Sequence, residues 1–193
     1  DVSRKHVSEL LRGKAPLSHD MALRLENTTG VPARIWNLHE TGYQAALARQ
    51  AADAKLVTQY DRAKEFPLSY LRKHSFITAP ASDKAGTVRG LLQFFGVSSM
   101  DAFQATWNQG AVAYRRLATW LRAAERSYEL DDLPDYDRSK LEEILPELRA
   151  LTVADPAQAI QKAQALLRDC GVALTLVPAV PGLSTHGATR WIQ

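Results

Sequence analysis

Two short apolar stripes, each opened by a serine and closed by a glycine, fill the first thirty residues and restrict this part of the chain to helix, turn, helix. In the first, Val7, Leu10 and Leu11 recur at i, i+3 and i+4, the spacing of one helix face. Ser3 is placed to cap this helix and Gly13 to end it, because a serine oxygen accepts from free first-turn amides and glycine takes the left-handed terminal conformation at low cost. The second cycle has its own Ser18 cap, Asp20 in the first turn and Gly30 at the end. A third helix starts at Pro32 and carries Ile35, Trp36 and Leu38.

The outer face of the first helix carries Arg4, Lys5, Ser8, Glu9 and Arg12, with Lys14 in the following turn. Such a helix can present its N-terminal side chains to base edges in a major groove, where Arg4 suits the O6 and N7 acceptors of guanine and Lys5 is a second base or phosphate contact. Arg12 and Lys14, at the far end, are better placed for phosphates, which add affinity but little discrimination. Glu9 either accepts from a cytosine amino group or pairs with Lys5 one turn away. By itself the pattern equally describes any amphipathic helix with a basic outer face.

Composition narrows the class. The 193 residues are 46% hydrophobic and 23% charged, without an apolar run long enough to cross a bilayer, so a soluble, cytoplasmic protein with no membrane partner is expected. A net charge of +3 is compatible with nucleic acid without implying it. The single cysteine, Cys170, excludes an internal disulfide and reads as a small packed side chain at a helix end.

From Thr41 to Phe66 the chain is rich in strong helix formers up to Pro67, predicting a long linking helix. A dimerising coiled coil is the alternative, but alanines with scattered Leu47, Leu56 and Tyr60 make a weak seam. Residues 67–152 read as short helices separated by Pro80, Ser82, Gly96 and Pro134. Leu91, Leu92, Phe94, Phe95 and Val97 form an apolar knot, and Trp107, Tyr114, Leu117, Trp120 and Leu121 a helical stripe expected to be core rather than a base-stacking platform. Arg115, Arg116, Arg122 and Arg126 could make a basic face, but near Glu125 and Glu129 they read as solvated helix pairs. Asp155-Pro156 opens a helix running to Gly171; Val172–Val177 then predicts a strand, and 182–192 a loop returning into a second one.

The run from Ser3 through Tyr43, with its Leu-x-x-Gly-Lys step, Ser-x-x-Met-Ala-x-x-Leu helix and Trp36-x-Leu38 pair, resembles the C-terminal portion of the DNA-binding domain of HigA-type antitoxins, a branch of the XRE or lambda-repressor-like family. The blocks LLQFFGVSSMDAFQATW, AYRR, ATWLRAAERSYEL and YDRSKLEEILPELRALT resemble the helical region of regulators that join such a helix-turn-helix to an ImmA/IrrE-type metallopeptidase domain, and GVALTLVPAVPGLSTHGATRW resembles the opening of that domain. The expected architecture is mainly α. Residues 1–40 would be the C-terminal part of a helix-turn-helix domain, 41–66 a linking helix, 67–152 a helical domain, and 153–193 the short α+β beginning of a peptidase-like domain.

The resemblance implies two helices ahead of the recognition helix and a metal-binding helix after residue 193, so the chain, which opens on Asp1, is expected to be a fragment. It also implies a transcription regulator that binds a double-stranded DNA operator as a homodimer, with a toxin as a further partner. Ser3, Arg4, Lys5, Ser8, Glu9, Arg12 and Lys14 are the DNA-binding candidates. The peptidase chemistry needs His-Glu-x-x-His on a helix, and these residues lack it: His39-Glu40 is followed by Tyr43 where the second imidazole belongs. No cofactor or catalytic residue is assigned here, and zinc belongs only to a longer parent. His186, in a glycine-rich loop beside Arg190, reads as a solvated loop residue. Two alternatives to the regulator stand: a zinc peptidase whose motif lies beyond residue 193, and a helical module that binds a toxin or another regulator.

Overall fold

A computed structural model describes residues 4–107, 112–127 and 133–191, which are mainly helical and contain no strand. The chain divides into two compact units, residues 1–58 and 59–193.

The first unit holds α1 (Arg4–Leu11), α2 (His19–Thr29) and α3 (Ala33–Thr58). Gly13, Ser18 and Gly30 act as expected, while the Ser3 cap lies outside the described residues. Gly13 sits at φ +65°, with its amide donating to Leu10 O at 2.9 Å and the Lys14 amide to Glu9 O at 2.8 Å. These two bonds close the end of α1 in a Schellman turn. Ser18 Oγ accepts from the Met21 amide, and Gly30 ends α2 at φ +74°. Met21 and Ala22 are buried where α2 packs on α3, whose first residue, Ala33, is also buried. Glu26 Oε2 accepts from the Ala33 amide at 2.7 Å and so caps the helix that begins after Pro32.

Two features differ from the expectation. The third helix and the linking helix, expected to start separately at 32 and 41, are one element of 26 residues, and it ends at Thr58 rather than Phe66. Gly42 does not interrupt it, because a single helical glycine costs only about 1 kcal/mol against the neighbouring helix formers. In α1 the apolar stripe is uneven: Leu10 is half-buried, but Leu11 is 83% exposed.

The second unit begins with α4 (Tyr60–Ala63) and α5 (Leu68–Lys73), followed by α6 (Lys84–Phe95), α7 (Met100–Trp107) and α8 (Val112–Arg126). Asp83 caps α6 by accepting from the Gly86 amide at 2.7 Å, and Gly96 ends it. The expected knot is the centre of the unit: Leu91, Leu92, Phe94 and Phe95 are buried, with Val97 half-buried. Phe95 meets the rings of Phe66, Phe94, Phe103 and Trp107 at centroid distances between 4.7 and 5.7 Å. Offset and edge-on aromatic contacts of this kind add to simple area burial.

The expected stripe on α8 is rotated. Its fully buried residues are Ala118, Thr119 and Ala123, while Tyr114, Leu117, Trp120 and Leu121 are half-buried. Arg115 and Arg122 flank the buried face and are not simple solvated pairs: Arg115 pairs with Glu65, and Arg122 donates to Phe94 O at 2.9 Å and to Glu125 at 2.7 Å. The Arg115 and Arg126 guanidiniums lie over the Phe66 and Phe94 rings, each 5.9 Å from the centroid.

The unit ends with α9 (Arg138–Ala150), a 3₁₀ turn at Leu151–Val153 and α10 (Pro156–Arg168). Asp137 caps α9 and Asp155 caps α10 just ahead of Pro156. Cys170 is buried, as expected, and its carbonyl accepts from the Asp137 amide at 3.0 Å.

The expected strand at 172–177 and the second one after Gly182 do not form, so this segment is not the beginning of an α+β sheet. A β-rich run becomes a strand only with a ladder partner, and among the described residues none lies beside it. It runs as an extended segment over helices, with Gln164 Nε2 donating to Leu174 O at 3.0 Å.

Candidate nucleic-acid interface

Four of the eight Lys and Arg residues in the first unit fall between residues 4 and 14, against one acidic residue there, Glu9. Residues 5, 8, 9 and 12 stand at i, i+3, i+4 and i+7, so α1 gathers Lys5, Ser8, Glu9 and Arg12 on one face. Lys5 is 85% exposed and its Nζ lies 3.9 Å from Glu9 Oε1, the intrahelical pair weighed above. A solvated pair at that distance holds neither partner firmly, so Lys5 is available to an anion. Ser8 and Glu9 are half-buried; Arg12 and Lys14 are exposed, and among the described residues neither is engaged in an ion pair.

Ser3 lies outside the described residues. Arg4 opens α1, but its side chain is likewise outside them, so the guanine contact assigned to it has no geometry here. Of the seven candidates, four therefore share one side of α1 and its end, Lys14 is exposed in the turn that follows, and two are outside the description.

Contacts that spacing does not reveal hold the turn after α1 and the join between α2 and α3. The turn after α1 passes so close to Tyr43 of α3 that a Cβ on Gly13 would lie 2.6 Å from the phenol oxygen. Tyr43 thus backs the turn, and glycine at position 13 lets its ring lie there undisplaced. The join between α2 and α3 is tied in the same way: His19 Nδ1 lies 2.9 Å from Asn37 Oδ1, and Trp36 Nε1 donates to Val31 O at 3.2 Å. Trp36 is thereby placed at the corner between the helices. Leu38, the other half of the expected pair, is 67% exposed.

Neither a metal site nor a membrane span is built by the described residues. No group of three His, Cys, Asp or Glu side chains among them is arranged to hold a metal ion. His39 is exposed on α3 and Glu40 donates no ligand geometry, accepting instead from Gln44 at 2.8 Å, so these residues do not fit zinc. No helix among them is long and apolar enough to cross a membrane. His186 is exposed, as expected for a loop residue, whereas its neighbour Arg190 pairs with Glu125.

No protein-family model, curated protein or solved structure matches this chain.

Proposed function

We propose that the chain is a sequence-specific DNA-binding transcription regulator of the HigA-like antitoxin or autorepressor type, with α1 as the helix that enters the major groove. The observation that supports this reading best is the local charge of α1 and its turn: Lys5, Arg12 and Lys14 are exposed together on a short helix closed by a fixed glycine turn. The whole chain carries only +3, so affinity for a polyanion rests on this cluster rather than on bulk charge. Arg12 and Lys14 bind phosphates, Lys5 and Arg4 read base edges, and Ser8 and Glu9 complete the polar face. A symmetric homodimer on a palindromic operator places two copies of α1 one helical turn apart.

The test is selection of a binding site from a random duplex library, followed by titration of the selected duplex at several salt concentrations. Arg12→Ala or Lys14→Ala lowers affinity for all sequences and reduces the salt slope by about 1, whereas Arg4→Ala relaxes preference at one base by about 1–3 kcal/mol. Binding that is indifferent to all three substitutions refutes the proposal.

A second reading keeps binding of a toxin or another regulator but moves it from the expected helical middle to the first unit, where Leu11, Leu23 and Leu38 are exposed. Copurification of a small basic partner supports it, and a clean homodimer refutes it.

A further inference from the structure

Residues 172–191 follow α10 without helix or strand and turn once at Pro181-Gly182, and the contacts that hold them to the helices of their own unit form a regular set. Three of its carbonyls, spaced four residues apart, accept from side-chain donors: Leu174 O from Gln164, Pro178 O from Tyr70 Oη at 3.0 Å, and Gly182 O from Arg116 Nη1 at 3.3 Å. Between the last two anchors Val180 is 1% exposed, flanked by the exposed Ala179 and Pro181. The Leu183 amide then donates to Val180 O at 3.1 Å, closing a turn through Gly182 at φ +76°. A Cβ at Gly182 would lie 2.8 Å from Arg116 Nη1, so the guanidinium is pressed against bare backbone.

Farther along, Arg190 pairs with Glu125, a carboxylate 12% exposed on α8 whose second oxygen accepts from Arg122. Glu125 Oε1 meets Arg190 as a charge contact without hydrogen-bond geometry.

Donors aimed at main-chain carbonyls, one buried side chain and one charge pair at the end are how protein surfaces hold peptide segments. The carbonyl contacts give affinity without regard to sequence. Burial of the Val180 side chain and the Glu125 carboxylate supply selectivity. We infer that the face formed by Tyr70 of α5 with Arg116 and Glu125 of α8 is a peptide-binding surface, that residues 178–190 occupy it in cis, and that when they leave it accepts a peptide of the same chemistry: a β-branched residue between prolines, a glycine turn, and an arginine ten positions after the β-branched residue. Covalent attachment gives the cis segment an effective concentration of about millimolar, so it excludes a weaker competitor until it is loosened. This inference is independent of the DNA-binding reading, since it uses only the second unit.

The test uses the full chain with Val180→Asp and Arg190→Ala, both of which alter the occupant and leave the surface intact. A fluorescein-labelled peptide with the sequence of residues 177–191 is titrated against it and against the unaltered chain, with anisotropy as readout. The substituted chain binds the peptide about tenfold or more tightly than the unaltered chain does, adding Glu125→Gln weakens that binding, and a peptide carrying Asp at the Val180 position does not bind. Equal binding to both chains, or equal binding of the Asp peptide, overturns the inference. So does loss of the helical circular dichroism in the doubly substituted chain, since residues 178–190 are then part of the folded core and not a detachable occupant.

Discussion

Replacing Gly13 by alanine tests whether the turn after α1 is held as described. The residue sits at φ +65°, and an L side chain there costs about 1–2 kcal/mol. The new methyl would also lie 2.6 Å from Tyr43 Oη, closer than non-bonded atoms tolerate. Because Tyr43 is exposed at its outer end, the ring can swing aside at a cost of about 0.5–1.5 kcal/mol in rotamer strain. Alanine's smaller freedom in the unfolded chain offsets about 0.4–1 kcal/mol of this. The balance is a local destabilisation of about 1–2 kcal/mol, which speeds exchange of the residue 13 and Lys14 amides by about tenfold if they open locally. Residue-resolved hydrogen exchange by NMR measures it. In a Tyr43→Phe background the steric part disappears, so Gly13→Ala costs about 0.5 kcal/mol less or better there, and the two substitutions are not additive. An exchange rate changed by less than about twofold, or strict additivity with Tyr43→Phe, refutes the reasoning.

Two further outcomes follow from the second unit. Phe95→Ala removes the ring shared by Phe66, Phe94, Phe103 and Trp107 and lowers stability by about 3–5 kcal/mol, read from urea unfolding of the full chain. Burial raises the Tyr70 phenol above its ordinary value of 10.0, so the folded state favours the protonated form that donates to Pro178 O. That contribution is complete below pH 10 and is lost as pH rises through the raised value, because the unfolded chain releases the proton first. Tyr70→Phe flattens this part of the alkaline decline in stability, and an unchanged pH profile contradicts the assignment.

What the sequence made legible was whatever a residue does through its own backbone neighbours. Ser18, Gly13, Gly30, Gly96 and Asp155 each act within four residues, and each marks the boundary expected of it. The apolar knot at 91–95 was also readable, since a dense run of large side chains has few alternatives to burial. Orientation was less so. On α8 the aromatic residues suggested the inward face, yet Ala118, Thr119 and Ala123 are the buried ones, since spacing alone does not say which stripe of a helix turns inward. Val172–Val177 has the composition of a strand, yet composition does not supply a ladder partner. Of the candidate interface, the charges of α1 were plain from spacing, whereas Tyr43 was not: its contact with Gly13 joins residues thirty positions apart through a turn whose path the local pattern does not encode.

Cys170 gives this architecture a built-in timer. It is the chain's single thiol, it is 1% exposed, and its carbonyl ties the start of α9 to the end of α10 through the Asp137 amide. An alkylating reagent can reach the sulfur only when the packing around the end of α10 opens, so the labelling rate, followed as a single mass increment on the intact chain, clocks that opening with no engineered probe and no competing cysteine.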